Sequence, residues 1–473
     1  MKRREFIKAA GVIAGTAVTG GRVMGTAFAP GILLTAERPN ILLVMTDQQS
    51  ADAMSCRMGK AFINTPAMDS LAASGVSFTR AYTANPLCVP ARTSMFTGQP
   101  PHVTGFQTND LTVPLDGRYR CFGTRFREAG YDTGYFGKWH LPFPAKDPSV
   151  HGFDVMGAVK NNGADNEIPS PAAAFIRRQR EKPFLLVTSF VNPHNICEWA
   201  RSEELKDGAV GEPPPPERCP QAVENLTAPR DEADGVLLMR RSYQNNRLFP
   251  VGGFDQNKWR QYRWAYFRMI EKVDAHLATI LTALRDSGQL DRTVIVFTSD
   301  HGDCQGAHGW NQKTVFYDNA SRVPFLIVSP GGARGSVSDR LVNTGTDLLP
   351  TLCELAGVEI PDGLPGRSLK ASALDPKTAD PRRYVVVENR MVQGAPVDGR
   401  TPELSGRMVR SARFKYCAYD SGNQRESLFD LERDPGEMVN LAGQAAYRDA
   451  LAQHRQFLAE WCRETKDPFV APG

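Results

Sequence analysis

The sequence predicts an α/β fold: a largely parallel, mixed central sheet sandwiched by helices, with a smaller C-terminal α+β subdomain built on a short antiparallel sheet. Three observations carry this. The apolar runs Ile41–Met45 and Thr293–Thr298 each end abruptly in polar residues, as strands buried on both faces of a parallel sheet do. Further apolar runs at Tyr131–Phe136, Phe184–Thr188 and Phe325–Val328 alternate with helix-like stretches. After about residue 375 the pattern changes to short segments of strand character followed by one helix.

Taken in order, residues 1–36 read as an export signal. Lys2, Arg3, Arg4 and Lys8 precede the weakly apolar Ala9–Gly20, and small residues follow at Ala27-Phe28-Ala29. The RR-x-F-I-K pattern is similar to a twin-arginine signal, which implies a periplasmic or secreted protein. An N-terminal membrane anchor using Gly31-Ile32-Leu33-Leu34 is the alternative, and no later stretch reaches the roughly 18 apolar residues of a spanning helix. The formal charge of +4 resides in this segment, whose five cations face one acid. The remainder is balanced, so net charge favours neither nucleic acid nor a membrane surface as partner. The nine cysteines are scattered without a CxxC, which excludes zinc-ribbon and thioredoxin readings and leaves open which of them pair.

The strand Ile41–Met45 delivers Thr46-Asp47-Gln48 at its carboxyl end, and Thr293–Thr298 delivers Ser299-Asp300-His301. Ligand sites in such sheets lie beyond the carboxyl ends of the strands, so Asp47, Asp300 and His301 are expected to meet there. Residues 201–256 are polar and irregular, with four prolines at 213–216, and read as a surface insertion of the kind that carries specificity. Residues 257–288 repeat apolar side chains at helical spacing, Phe267, Ile270, Val273, Leu277 and Leu284 among them. Strands are expected at Tyr384–Glu388, Met408–Ser411, Phe414–Tyr419 and Leu428–Leu431, with a closing helix at Tyr447–Trp461. The domains are then 37–375, carrying the chemistry, and 376–473.

Within NPLCVPARTSMFTG, Cys88 opens the pentapeptide Cys88-Val89-Pro90-Ala91-Arg92. Pro90 suits the first turn of a helix, which would seat Cys88 at a helix N-terminus, where anions are favoured. The string through Gly98 resembles the signature of the type I sulfatases of the alkaline-phosphatase-like superfamily, and the similarity extends over nearly all of 37–473. The resemblance implies that a dedicated oxidase converts Cys88 to formylglycine, whose hydrate is the nucleophile, with Arg92 holding it. Twin-arginine export carries folded proteins, so oxidation would precede folding and export.

The resemblance also implies a divalent metal held by Asp47, Gln48, Cys88, Asp300 and His301. The family commonly has Asp-Asp where Asp47-Gln48 stands, and Asp-Asn or Asp-His at Asp300-His301. Calcium is the expected ion, and the histidine makes manganese the alternative. Gly137-Lys138-Trp139-His140 resembles the family's G-K-W-H box, which makes Lys138 a contact of nucleophile and sulfate and His140 a base in turnover. His194 in FVNPHN and Lys313 in GAHGWNQK match the sulfate-binding histidine and lysine near the leaving oxygen. His308 stands equally for a structural or a substrate-side residue, while Asp430, Asp434 and Glu437 read as structural.

The expected activity is hydrolysis of a sulfate ester on a small molecule or glycan. Glu198, Trp199 and Arg201 are candidates for the leaving-group pocket. Two alternatives stand beside it: a phosphodiesterase or phosphonate monoester hydrolase of the same superfamily, and a non-catalytic sulfated-glycan binder.

Overall fold

An eight-stranded sheet separates two apolar layers in the computed structural model, which describes residues 38–472. The segment read as an export signal lies outside the described residues. The strands are β1 (Asn40–Asp47), β2 (Val76–Tyr82), β3 (Asp132–Lys138), β4 (Val155–Lys160), β5 (Phe184–Pro193), β6 (Thr293–Ser299), β7 (Phe325–Val328) and β8 (Ser336–Asn343). Their order is β4-β3-β5-β1-β6-β7-β2-β8, with only β7 antiparallel to its neighbours. Strand β1 shows why an unbroken apolar run forms here. Leu42 and Val44 enter one core, Ile41, Leu43 and Met45 the other, so both pleat faces must be apolar.

The long helix Gln256–Asp286 covers one face, started by Asp255, whose carboxylate accepts from the Lys258 N–H at 2.8 Å. Helices Cys88–Thr97 and Thr344–Ala356 cover the other, through Met95, Phe96, Leu348 and Leu352. They approach closely at Gly345, where a Cβ would stand 2.4 Å from that of Ala84 and 2.9 Å from that of Ser94.

A second sheet is fully antiparallel, ordered β12-β11-β10-β9: β9 (Tyr384–Met391), β10 (Leu404–Ser411), β11 (Phe414–Tyr419) and β12 (Glu426–Asp430). One face packs on Tyr82, Trp310 and Phe316, and the other on the helix Arg448–Thr465. No helix among the described residues is long and apolar enough to cross a membrane. All nine cysteines are free thiols.

Three strands and one helix depart from the sequence reading. Strands β4 and β8 are sheet edges, and β2 beside β8 carries Thr79 and Arg80 half-exposed. Strands β2 and β8 lack the apolar run that marks a strand covered on both faces, whereas β4 has a short one, Val155–Val159, that the sequence reading passed over. The insertion 201–256 is not irregular throughout: Asp234–Gln244 is helical and buries Val236, Met239 and Tyr243 on one stripe. That stripe is narrow and set among charged residues, so the segment reads as polar.

A buried ionic cluster ties the segment after the Cys88 helix to the second sheet. His102, in the turn after the Cys88 helix, donates from Nδ1 to Glu388 of β9 at 2.6 Å and from Nε2 to the Thr465 carbonyl at 3.1 Å. Beside it Arg407 of β10 holds Asp467 through two bonds of 2.6 and 2.8 Å. Burial pulls the imidazole down, but the hydrogen bond and charge of Glu388, helped by Asp467, outweigh it and hold His102 above its ordinary value. A raised histidine stabilises the fold fully below about pH 6.5, and that contribution is lost as pH rises through the raised value. The thermal midpoint should therefore fall as pH rises through that window. His102→Ala, which removes the ring partner of Glu388 but keeps the residue-102 N–H and Arg407 at 3.8 Å, should cost roughly 1–3 kcal/mol in denaturant unfolding and flatten this pH dependence.

Candidate active site

Strands β3, β5, β1 and β6 lie side by side, and their carboxyl ends deliver the polar residues to one place. Thr46 pairs with Ser299, Asp47 with Pro193, and Gly137 with Ser189. Register alone thus brings Lys138, His194, Asp47-Gln48 and Asp300-His301 to the same sheet end.

Cys88 is the first residue of its helix and only 1% exposed. The next N–H, of Val89, donates to Asn109 Oδ1 at 3.0 Å. The Cys88 Sγ lies 3.2 Å from His301 Nε2 and 4.0 Å from Asp47 Oδ1. Burial and Asp47 push the thiol up, but Lys313, Lys138 and His301 prevail and hold it well below the ordinary thiol range.

One turn on, Arg92 is completely buried and locked by four bonds. Its Nε donates to Asp300 Oδ2 at 2.7 Å and one terminal nitrogen to Asp47 Oδ2 at 3.2 Å. The other reaches Ser189 Oγ at 2.8 Å and the Lys138 carbonyl at 3.2 Å. Lys138 Nζ meets Asp47 Oδ2 at 2.6 Å. Burial raises Asp47, yet Lys138, His194 and Arg92 hold its carboxyl well below the usual carboxylate range.

The metal-binding expectation rests on Asp47, Cys88, Asp300 and His301, whose donor atoms all lie within 4.8 Å of one another. His301 Nδ1 faces the Gly302 carbonyl at 3.0 Å, so it carries the proton there and turns Nε2 toward the carboxylates. Burial and the Asp47 charge push Asp300 up, a repulsion that a divalent cation would relieve. The donor set fits such an ion. Gln48 is placed differently from expectation: its Oε1 accepts from Lys313 Nζ at 2.5 Å, and its Nε2 donates to Asp303 at 2.7 Å. Buried Asp303, an acceptor, takes the nitrogen end of the amide, which turns the oxygen to Lys313.

Lys313 is buried, which lowers it, but Cys88, Cys197 and Asp47 outweigh that and keep it cationic. His194 is pulled well below the usual imidazole value by burial, Lys313 and Lys138, and so is neutral. Its loop is pinned by Asp165, which accepts from the N–H groups of Val191 at 2.6 Å and Asn192 at 2.8 Å. His140 holds a left-handed backbone (φ 45°), its N–H bound to Asn161 Oδ1 at 2.9 Å. Among the described residues no hydrogen bond joins the His140 or His194 ring to Cys88, and the Nδ1 atoms of both are without partner.

Sequence reasoning missed Ser189, Asp303, Asp165, Asn109 and Asn161. Ser189 and Asp303 had a usable signal, being polar residues at the ends of the same apolar strands. The other three lie in loops that carry no periodic pattern. His308 resolves as structural: it is buried, stacks on Tyr317 with 3.8 Å between centroids, and bonds Asn225 and the Thr227 carbonyl. Asp430 pairs with Arg413, Asp434 caps Met438 and Val439, and Glu437 holds Lys415 at 2.7 Å, all structural as expected.

Residues 39–358 match the Sulfatase family, and residues 306–464 match the family described as N-sulphoglucosamine sulphohydrolase, C-terminal. The chain is 29% identical over 459 residues to a Delta 4,5-hexuronate-2-O-sulfatase of Bacteroides thetaiotaomicron, covering 94% of this chain and 93% of that one. An N-acetylglucosamine-6-O-sulfatase of the same organism is 27% identical, covering 91% and 87%. The solved structure of a 2-O GAG sulfatase superposes with a TM-score of 0.79 at 27% identity, covering 92% of this chain and 95% of that one. A phosphonate monoester hydrolase of Agrobacterium radiobacter shares the fold at 23% identity, TM-score 0.70, covering 90% and 96%. A buried cysteine at a helix N-terminus, two lysines and a cluster of carboxylates at the sheet end thus stand in a chain that belongs to the sulfatase family and hydrolyses sulfate esters.

Proposed function

We propose that this sulfatase removes sulfate from a carbohydrate outside the cytoplasm, with Cys88 oxidised to formylglycine and calcium at Asp47, Asp300 and His301. The observation that carries the reading is the setting of Cys88: first in its helix, fully buried, with Lys138, Lys313 and His301 acting on its sulfur. A carbohydrate is supported by relatives named for hexuronate and N-acetylglucosamine sulfates, and by a similar solved structure holding D-glucosamine-2-N,6-O-disulfate. The Asp300-His301 pair leaves manganese as the alternative ion.

The formylglycine hydrate would supply two hydroxyls, one to attack sulfur and one to expel sulfate afterwards. The chain's own residues prepare for that chemistry. Lys138 and Lys313 are buried in a dry pocket, where they can neutralise negative charge growing on the sulfuryl oxygens. Neutral His194 presents an N–H that can donate to the leaving oxygen, and Asp165 fixes the loop that aims it. Glu198 and Arg201, 3.3 Å apart at the short helix after His194, with Asn162 at 3.4 Å from Glu198, offer an acceptor and donors to sugar hydroxyls. Trp199 is turned against Tyr262 and Lys258.

Mass spectrometry of the Cys88 peptide, after co-expression with a formylglycine-generating oxidase, should find the aldehyde. Cys88→Ala should lose at least about a thousandfold in kcat/KM on sugar sulfates. An unmodified thiol in a fully active enzyme would sink the proposal, and faster turnover of a phosphonate monoester than of any sulfate would favour the other chemistry. Chelation with EDTA should abolish turnover, and calcium should restore it. Restoration by manganese alone would reassign the ion. Export is tested at its motif: replacing Arg3 and Arg4 with lysine should retain the protein in the cytoplasm, and unchanged export would exclude the twin-arginine route.

A further inference from the structure

A cavity of about 870 Å³ opens away from the catalytic residues, between the loop after β1, the helix Gln256–Asp286 and the turn 431–438 that follows β12. Neither Cys88, Lys138, His194 nor Lys313 lines it. Its charges do not cancel. Arg322 is matched by Asp52 and Asp318, and Asp318 is further held by Lys415 at 2.6 Å. Arg80 is taken by Asp339. Arg433 stands 3.9 Å from Asp430, and Glu224 and Asp434 also line the cavity, but among the described residues Arg263 and Arg410 have no carboxylate within 4 Å. Arg410 is 5% exposed and donates to Tyr82 Oη at 2.8 Å and to the carbonyls of Ser411 and Phe414. Among the described residues Arg263 donates to Gln305 Oε1 at 3.4 Å and to the Gln221 carbonyl, and burial lowers it to about 10.

A buried Arg410 and a half-buried Arg263, neither with a carboxylate within 4 Å among the described residues, are costly unless an anion joins them. The volume exceeds what an inorganic anion needs and falls within the range of small-molecule sites. Phe267 and Met438 give the cavity apolar wall, while Glu224 and Asn319 bring polar groups, a mixture suited to a sugar ring that carries an acidic group. We infer that this cavity is a second, non-catalytic binding site for an acidic saccharide, whose sulfate or carboxylate seats on Arg263 and Arg410. The inference rests on the carbohydrate reading above, and it adds a place where a polymeric or product sugar is held apart from the reacting ester.

The test uses full-length protein carrying Cys88→Ala and Lys313→Ala, which disables the catalytic pocket, and titrates a heparin-derived tetrasaccharide by calorimetry. Binding should persist in this background. Arg263→Gln should weaken it by about tenfold or more, and Ala222→Trp, which fills the cavity from its loop side, should remove it. A neutral glucose tetramer should not bind. The inference is overturned if the tetrasaccharide does not bind, if both cavity variants bind it like the parent, or if the neutral tetramer binds equally. Turnover of defined sugar sulfates by the oxidised enzyme is measured separately. Turnover without binding at Arg263 would remove only the second site, whereas binding without turnover of any sugar sulfate would remove the carbohydrate reading of the catalytic pocket.

Discussion

Arg92 between Asp47 and Asp300 is the interaction on which the rest depends. A buried guanidinium and two buried carboxylates, all fully shielded from solvent, would each be costly alone. Joined at 2.7 and 3.2 Å, they form a rigid crosslink between the nucleophile helix and the central strands β1 and β6. The two remaining donors of Arg92, on Ser189 and the Lys138 carbonyl, extend the same crosslink to β5 and β3. Four strands and one helix are therefore held in register by a single side chain.

That crosslink explains the electrostatics around Cys88. With Arg92 committed to the carboxylates, Lys138 and Lys313 supply the positive charge that acts on the sulfur and its ligands. Gln48 and Asp303 complete the arrangement by holding Lys313 in a hydrogen-bonded line that ends on Tyr262. Charges of both signs are thus kept in a dry pocket because each has a fixed partner, the condition under which such a pocket stabilises a developing oxyanion.

Much of the fold was legible because burial on both faces writes a simple pattern. Strands β1, β5 and β6 show it, and the polar residues at their ends marked the site. The edge strand β8 was not legible, since an edge tolerates polar residues, and β4 was passed over although Val155–Val159 is apolar, being short and half-exposed. Likewise the helix Asp234–Gln244 buries a thin apolar stripe, Val236, Met239 and Tyr243, and its charged residues mask that stripe in the sequence. At the site, Cys88, Arg92, Lys138, His194, Asp300 and Lys313 were found through the family resemblance, which adjacent motif residues carry. Asp165, Asn109 and Asn161 escaped because they act through backbone N–H groups from distant loops.

What the sequence by itself determined is the set of chemical groups and the strand ends that present them, since local apolar pattern and short motifs specify both. Tertiary structure alone decided the partners. Gln48 offers the same amide to a metal or to Lys313, and only the position of Asp303 turns its oxygen to the lysine. His308 reads equally as substrate-side or structural until Tyr317 stacks on it. Arg263 and Arg410 look like ordinary surface cations in the chain. The fold sets them in one cavity with no carboxylate within 4 Å of either among the described residues, because charge balance is a property of neighbours in space and not of neighbours in sequence.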